Sequence, residues 1–343
     1  MKALVKFCPG PDGLKIMDMP EPVPLPGELK IEVYAAGICG TDLHILHDEY
    51  PCEMPVILGH EYAGVVTEMG SDVHGFSLGD KVVSLTAART CGTCRYCTEE
   101  LPMLCDERKS IGYGIHGAFA KYITIPAWLA LKVADALPFE TAAICEPLAC
   151  VVHGVIERSD IKAGDYVLVS GPGTIGQLAA QVAKTCGAQV AVAGTAQDCA
   201  RLALAMSLGA DATLQANTDT AEQTAKAFTQ GNGFDVAIEC AGAAASAAFC
   251  LRALRKNSLY AQLGIFGKTI SFDMDMALFK EIRITNSFGT KSTSWVTALR
   301  LLETGKITVA PLTSKKFPLE EWQAAFARAQ ARQDYKILLS PNM

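Results

Sequence analysis

The sequence predicts an α/β protein in which a mostly β domain, discontinuous along the chain, encloses a domain with a parallel sheet. Three observations lead to this prediction. The first 150 residues are rich in short β-branched runs broken by Gly and Pro, strands and helices alternate from about 160 to 287, and two amphipathic helices with a closing strand follow. We expect one domain to comprise residues 1–150 and 288–343, and the other 151–287.

Length, composition and charge narrow the protein class. The chain has 343 residues, half of them hydrophobic, which suffices for two domains that each bury a core. A net charge of -6 argues against a nucleic-acid surface, because phosphate binding requires clustered Lys and Arg. The sequence shows no apolar run of about 18 residues and no signal-peptide pattern, so we expect a cytoplasmic protein with no membrane partner.

The β-rich segment contains residues that could bind a metal. Its strand-like runs are KIEVYAAGI, GVVTEMG, DKVVSL and FAKYITI. Between and after them come, in order, Cys39, Thr41 and His44 in CGTDLHI, His60 and Glu61 in GHEY, and Glu146 in AAICEPLACVVHG. A Glu in so apolar a run is costly to bury unless it is paired or lies near a metal. Cys, His and Glu together are the mixture of ligands that zinc binds.

A second group of potential ligands lies in CGTCRYCTEELPMLC. It contains Cys91, Cys94, Cys97 and Cys105. Because a reducing cytosol keeps thiols reduced, this spacing favours a metal site over disulfides. Four thiolates can close a tetrahedral zinc shell and leave no position for a substrate.

A glycine pattern follows the first strand of the alternating region. In DYVLVSGPGTIGQL, the turn Gly171, Gly173, Thr174, Ile175 and Gly176 stands between a predicted strand and a predicted helix. This context predicts a dinucleotide-binding turn, with tight backbone geometry at the glycines and helix N–H groups facing a pyrophosphate.

The second strand lacks the carboxylate that normally binds the adenosine ribose of NAD. Gly194 and Thr195 occupy that place, Asp198 is expected to cap the next helix, and Arg201 lies within that helix. Thr195 could donate to a 2′-phosphate, but no basic residue follows Gly194 directly. NAD and NADP are therefore both left open as cofactor.

These motifs together resemble the zinc-dependent medium-chain alcohol dehydrogenases. The zinc signature of that family is matched by Gly59, His60, Glu61, Gly64, Gly70 and Val73. CGTD stands before this signature, and the four-cysteine lobe, EPLA, AGDYVLVSGPGTIG and IECAG come after it in the order of the family, so the resemblance covers nearly the whole chain. It implies a GroES-like catalytic domain, a Rossmann domain with a doubly wound parallel sheet, one catalytic and one structural zinc, and a homodimer or homotetramer.

The resemblance also implies residue roles. Cys39 and His60 match the first two ligands of the catalytic zinc, and Glu61 matches an acid that binds the metal or exchanges with water. Glu146 stands where the classical members carry a second cysteine, as in the sorbitol and polyol dehydrogenase branch. Whether Glu61, Glu146 or both bind zinc directly is left open. The four clustered cysteines match the structural zinc.

Two further residues match the proton path of the family. Thr41 corresponds to the hydroxyl that contacts the bound alcohol, and His44 to the distal base that passes the proton to solvent. The loop LHDEYPCEMP, with Tyr50, is expected to line the substrate cleft.

The implied activity is NAD(P)-dependent, reversible oxidation of a secondary alcohol, a polyol or sugar alcohol, to the ketone. An L-threonine 3-dehydrogenase-like oxidation of an amino alcohol is an alternative, because CGTDLHI and GHE are similar there. That branch typically has Asp-Pro in place of Glu146-Pro147. An alternative of another class is a non-catalytic, zinc-containing binding or regulatory protein.

Overall fold

A computed structural model describes residues 1–216, 218, 220–313 and 315–342 of the chain. Within this part, the chain forms two compact units. Unit 1 comprises Met1–Pro147, Lys291–Gly305 and Val309–Met343, and unit 2 comprises Leu148–Thr290 and Lys306–Thr308.

The strands alternate with helices in the middle of the chain. In chain order they are β1 (Lys2–Lys6), β2 (Leu14–Asp18), β3 (Glu28–Gly37), β4 (Val56–Ile57), β5 (Glu61–Met69), β6 (Lys81–Ser84), β7 (Ala87–Arg89), β8 (Lys109–Ser110), β9 (Tyr122–Pro126), β10 (Ala130–Lys132), β11 (Tyr166–Ser170), β12 (Gln189–Gly194), β13 (Ala212–Gln215), β14 (Phe234–Glu239), β15 (Leu254–Gln262), β16 (Arg283–Asn286), β17 (Lys315–Pro318) and β18 (Ile337–Ser340).

The helices are α1 (Gly40–Leu46), α2 (Arg95–Thr98), α3 (Phe139–Ala142), α4 (Cys145–Val152), α5 (Thr174–Thr185), α6 (Cys199–Ser207), α7 (Ala221–Phe228), α8 (Ala244–Ala253), α9 (Met274–Phe279), α10 (Ser292–Glu303) and α11 (Trp322–Gln330). Short 3₁₀ turns lie at Pro11–Gly13, Pro102–Leu104, Ala127–Leu129, Ala196–Asp198, Ala310–Leu312 and Leu319–Glu321, and a π turn at His153–Glu157.

Unit 1 is built on a sheet with the strand order β10-β6-β5-β3-β18-β17, and β9 also pairs with β3. Strand β3 is buried along most of its length because neighbours cover it on both sides. It runs antiparallel to β5, in a register that places Gly37 opposite Glu61. Strand β18, from the last part of the chain, also pairs with β3, at Ala36 and Gly37. Segments that are far apart in sequence therefore meet at this end of β3.

Unit 2 contains a parallel sheet with the strand order β13-β12-β11-β14-β15-β16. Its central strands are continuous apolar runs, as expected when helices cover both faces of a parallel sheet. Strand order reverses between β11 and β14, which is where dinucleotides bind in sheets of this topology. The predicted α/β class with a doubly wound parallel sheet is confirmed.

One helical run is long and apolar enough to cross a membrane by length and composition alone. It covers Phe139–Glu157, and 72% of its most apolar window is buried within the protein. Burial of this extent is typical of a core helix in a globular protein.

Candidate metal centres and dinucleotide turn

Three potential metal ligands converge at the end of β3. Cys39 precedes helix α1 as its N-cap, and His60 directly precedes Glu61, the first residue of strand β5. The antiparallel register of β3 and β5 brings the two segments together, and one ligand atom from each of the three side chains lies within 4.8 Å of the others. The sequence places these residues in two separate motifs, and the sheet joins them.

A buried carboxylate, Asp42, connects the two ligand segments. Its Oδ2 accepts a hydrogen bond from the Cys39 N–H at 2.8 Å, and its Oδ1 accepts one from the Gly59 N–H at 3.3 Å. The same Oδ1 lies 3.9 Å from Nδ1 of His60. Carboxylates that lie behind a metal-binding His commonly orient its ring. Asp42 is thus placed to fix both segments, a role that the sequence analysis did not predict.

Glu61 contacts a second residue that the sequence analysis missed. The ammonium of the buried Lys336 donates to Glu61 Oε1 at 2.7 Å and to the Ile38 carbonyl at 3.1 Å. Space for the carboxylate comes from Gly37, where a Cβ would lie 2.2 Å from Glu61 Oε2. Burial favours the neutral form of Lys336, but Glu61 outweighs this effect and the pKa of Lys336 is raised.

The charges around Cys39, His60 and Glu61 favour a positive charge at this position. Burial disfavours a positive charge on His60, yet Cys39 and Asp42 outweigh burial and raise the pKa of His60 well above its ordinary value. The Glu146 carboxylate acts in the same direction. Glu146 is 9% exposed, and it lies outside the group of three ligands within 4.8 Å.

The donor set fits zinc. Within the described residues, the buried atoms His60 Nδ1 and Glu61 Oε2 have no hydrogen-bond partner of acceptable geometry, although Lys336 Nζ lies 2.7 Å from that oxygen. A thiol, an imidazole and a carboxylate are ligands that zinc binds in catalytic sites. We call this centre, defined by Cys39, His60 and Glu61, the mixed-ligand site.

A hydroxyl and an imidazole follow Cys39 on α1. Thr41 Oγ1 lies 3.8 Å from Cys39 Sγ. His44 is one turn further on, with its side chain 41% exposed, and its Nδ1 lies 2.6 Å from Glu49 Oε2. A carboxylate on Nδ1 leaves Nε2 as the nitrogen that can exchange protons.

Aromatic side chains adjoin the mixed-ligand site. The Tyr113 ring packs edge-on against His60, with centroids 6.1 Å apart, and against Tyr50 at 5.4 Å. Burial raises the pKa of Tyr113 to about 12, so its phenol remains neutral at physiological pH. Tyr50 lies beyond it, two aromatic rings from the metal ligand.

The four clustered cysteines form a separate site. The Sγ atoms of Cys91 and Cys97 are 3.9 Å apart, those of Cys94 and Cys97 3.6 Å, and those of Cys105 and Cys91 3.7 Å. A tetrahedral shell with Zn–S bonds of about 2.3 Å separates its sulfur atoms by about 3.8 Å. The observed distances fit such a shell, and all thirteen cysteines, each within the described residues, are free thiols.

The thiols of this cluster are poised to bind a cation. Backbone hydrogen bonds from Thr93 and Cys94 lower the pKa of Cys91 to about 6. The Cys97 N–H favours the thiolate of Cys94, but burial and the neighbouring thiols outweigh it and raise its pKa to about 11. A bound cation relieves this repulsion between thiolates.

In unit 2, the glycine turn has the geometry of a phosphate-binding turn. Gly171 has φ +103°, and a Cβ there would lie 2.6 Å from the Ala241 nitrogen. A Cβ on Gly176 would lie 1.9 Å from the Gly171 carbonyl oxygen. Gly173 is the N-cap of α5, and Thr174 and Ile175 begin the helix. The turn therefore presents open helix N–H groups to a ligand phosphate.

The end of β12 is shaped by Asp198. Its Oδ2 accepts hydrogen bonds from the Thr195 N–H at 2.8 Å and the Thr195 hydroxyl at 2.7 Å. A Cβ on Gly194 would lie 2.9 Å from Asp198 Cβ. Arg201 Nη1 lies 3.8 Å from the position of a Cβ on Gly173, so the guanidinium is close to the phosphate-binding turn.

The chain is similar to known proteins over nearly its full length. Residues 25–135 match the alcohol dehydrogenase GroES-like domain, and residues 174–304 match the zinc-binding dehydrogenase domain. It is 37% identical to a sorbitol dehydrogenase of Halalkalibacterium halodurans over 99% of both chains. It is 34% identical to a D-arabitol-phosphate dehydrogenase of Enterococcus avium (100% and 98% covered) and 32% identical to an L-threonine 3-dehydrogenase of Shewanella frigidimarina (99% of both).

A solved structure agrees with these relatives. A zinc-binding dehydrogenase from Sinorhizobium meliloti bound to NADP is 32% identical over 99% of both chains, with a TM-score of 0.91. The resemblance stated from the motifs is thereby confirmed. The chain belongs to the zinc-dependent medium-chain alcohol dehydrogenase family.

Proposed function

We propose that this protein is an NAD(P)- and zinc-dependent dehydrogenase that reversibly oxidises a secondary alcohol, a polyol or sugar alcohol, to the ketone. The observation that carries the proposal is the mixed-ligand site, where Cys39, His60 and Glu61 converge beside Thr41. When bound, zinc supplies Lewis acidity toward an alcohol oxygen, and a nicotinamide supplies the hydride acceptor.

Polyols are favoured as substrates by Glu146 and by the relatives. Glu146-Pro147 occupies the position where the threonine dehydrogenase branch typically has Asp-Pro. The sorbitol dehydrogenase relative is 37% identical, against 32% for the threonine dehydrogenase relative. An L-threonine-like amino alcohol is the second candidate substrate.

Each site residue has a proposed role. Cys39 and His60 hold the catalytic zinc. Glu61 and Glu146 are the two candidates for the acidic zinc ligand. Because the Lys336 ammonium competes with zinc for the Glu61 carboxylate, this contact favours Glu146 as the ligand when zinc is bound. The structural zinc is held by Cys91, Cys94, Cys97 and Cys105.

We assign the proton path to Thr41 and His44. Thr41 is close enough to Cys39 to hydrogen-bond a substrate hydroxyl at the mixed-ligand site. His44 is partly exposed and can release a proton to water, while Glu49 orients its ring through Nδ1. This division separates a group that positions the alcohol from a group that exchanges its proton.

Substituting His44→Asn is expected to lower kcat about tenfold near neutral pH, because it removes the group that exchanges the proton with solvent. The loss should shrink as pH rises, since hydroxide can then accept the proton directly. The measurement is kcat between pH 6 and 10. His116→Asn is the control, because that imidazole accepts from the Ile57 N–H and serves the backbone. An unaltered pH profile in the His44 variant would argue against the path.

Substituting Tyr50→Leu is expected to change kcat/KM for polyols by about tenfold and to alter their ranking, because the ring packs on Tyr113 beside His60. The measurement is kcat/KM for polyols of different length and configuration. Tyr96→Leu, at an exposed tyrosine of the cysteine-rich segment, is the control. If every polyol retained its kcat/KM in the Tyr50 variant, this residue would not line the substrate cleft.

The dinucleotide is proposed to bind at Gly171, Gly173, Thr174, Ile175 and Gly176. Around the adenosine ribose, Gly194 and Thr195 leave space beside β12, while Arg201 supports a 2′-phosphate and Asp198 opposes one. Because these charges act in opposite directions, we propose NAD or NADP as cofactor without preference.

The remaining assignments concern organisation. We propose a catalytic domain of residues 1–150 and 288–343, a dinucleotide domain of 151–287, a cytoplasmic location, and a homodimer or homotetramer. Self-association is supported by the exposed apolar side chains of Leu278, Phe279 and Ile284 at and beside the edge strand β16. Sedimentation of the full chain as a monomer at micromolar concentration would count against it.

An absorbance assay tests the function directly. The zinc-replete protein is mixed with a panel of polyols, their phosphate esters and L-threonine, with NAD⁺ or NADP⁺, and reduced cofactor is followed at 340 nm. Turnover of at least one polyol is expected. Turnover of L-threonine alone would support the amino-alcohol alternative, and no turnover with either cofactor would support a non-catalytic zinc-containing binding or regulatory protein.

A further inference from the structure

A buried carboxylate in unit 2 is not used by any of the roles above. Glu239, in the IECAG motif, ends strand β14 and is fully buried. Its Oε1 accepts hydrogen bonds from the N–H groups of Ala241 at 3.0 Å and Gly242 at 3.1 Å, and its Oε2 lies 3.2 Å from the Gly242 nitrogen. The side chain therefore folds back on the loop that follows its own strand.

The same residue contacts the loop after the neighbouring strand. The backbone oxygen of Glu239 accepts hydrogen bonds from the N–H groups of Leu263 and Gly264, both at 2.9 Å. A Cβ on Gly264 would lie 2.5 Å from Glu239 Oε2, so only a glycine allows the carboxylate to take this position. Glu239 thus holds the loops that follow β14 and β15.

The loop after β14 lies against the dinucleotide turn, and the loop after β15 lies against the loop after β14. The Ala241 nitrogen lies 2.6 Å from the position of a Cβ on Gly171, the first glycine of the turn. The Cys240 N–H donates to the Ser170 carbonyl at 2.8 Å. A Cβ on Gly242 would lie 2.3 Å from the Ile265 oxygen. A shift of the Glu239 side chain would therefore move backbone that borders the phosphate-binding turn.

Sheet topology shows which half of the cofactor faces these loops. Strands β12 and β13 lie on one side of β11, and β14, β15 and β16 lie on the other. In sheets of this order a dinucleotide spans the switch point, with the adenosine half over the side of β12. The loops after β14 and β15 consequently face the nicotinamide half.

We propose that Glu239 is a positioning residue for the nicotinamide half of the cofactor, because its carboxylate and backbone fix the loops that receive that half. The proposal rests on the proposed function as a nicotinamide-dependent enzyme. In this role Glu239 does not itself contact the cofactor. A change at Glu239 is therefore expected to weaken binding of the nicotinamide half and not of the adenosine half.

Glu239→Ala and Glu239→Gln, in the full-length zinc-loaded protein, test the proposal by calorimetric titration. The probes are NAD⁺ and NADP⁺ for the whole dinucleotide, and AMP and 2′,5′-ADP for the adenosine half. Glu239→Ala leaves buried N–H groups unpaired, so the Kd of the dinucleotide should rise at least about tenfold while the Kd of the adenosine probe stays within about twofold. Glu239→Gln retains an acceptor oxygen and should show a smaller, dinucleotide-specific rise of about threefold.

The control is Asp235→Asn, at the opposite end of the same strand, β14. Asp235 accepts from the Tyr166 N–H at 2.8 Å and from Arg255 Nε at 2.6 Å, and its variant should leave all probes unaffected. If the Ala variant does not fold, the Gln variant decides. Equal weakening of both kinds of probe, or no weakening of the dinucleotide, overturns the role of Glu239. A wild-type protein that binds neither dinucleotide contradicts the proposed function as well.

Discussion

Cys39→Ser is expected to lower kcat/KM by more than about a thousandfold. A serine hydroxyl does not ionise at neutral pH and is a poor zinc ligand, so the mixed-ligand site loses its thiolate. Zinc content should fall from about two ions per chain to about one, because the four-cysteine site is separate. Both quantities are measured on the same preparation, by steady-state kinetics and elemental analysis.

The control for this variant is Cys8→Ser, at a half-buried thiol on the same unit that belongs to neither cysteine group. It should retain turnover and both zinc ions. Retention of wild-type turnover by Cys39→Ser would show that the chemistry takes place elsewhere. Loss of both zinc ions together would show that the two sites are not independent.

Cys94→Ser is expected to act on stability instead. Removing one thiolate leaves a tetrahedral shell incomplete, and structural zinc sites contribute directly to folding free energy. The midpoint of thermal unfolding should fall by on the order of 10 °C, or the protein should assemble poorly. The ratio of kcat/KM between two polyols should stay within about twofold, because the four-cysteine site has no open position for a substrate.

Arg95→Ala provides the matched control on the same short helix. Its side chain is 81% exposed and pairs with Glu99 at the surface, so removing it should change the unfolding midpoint by only a few degrees. A Cys94→Ser protein that kept its stability and lost only turnover would reassign this cluster to catalysis.

Much of the fold was predictable from local patterns. The strands and helices of unit 2 appear in the sequence as apolar runs and glycine turns, such as DYVLVSGPGTIG, because parallel strands are buried on both faces and helices follow directly. The closing strand KILLS was predicted from its apolar run and corresponds to β18. The pairing of that strand with β3 was not predictable, because pairing partners depend on tertiary packing.

The candidate site was predictable only in part, for a similar reason. Cys39, His60 and Glu61 stand in short motifs with recognisable spacing, and their convergence follows from the register of β3 and β5. Lys336 stands first in the predicted closing strand KILLS, where a lysine is ordinarily exposed, and nothing near it in sequence points to Glu61. Asp42 had no predicted role, although an acid three residues after a ligand is a signal for a hydrogen bond to the ligand's backbone N–H.

The pairing of β18 with β3 has a consequence for synthesis of the chain. Lys336 leaves the ribosome 275 residues after Glu61, with the whole of the parallel-sheet unit in between. Nearly all of that unit is one continuous stretch of chain, so it can fold on the ribosome before β18 has been synthesised. Until then, the N-terminal segment of unit 1 lacks this strand. The ammonium of Lys336 therefore reaches the mixed-ligand site last. In a nascent chain shorter than about 340 residues, the Glu61 carboxylate would lack its ion-pair partner Lys336.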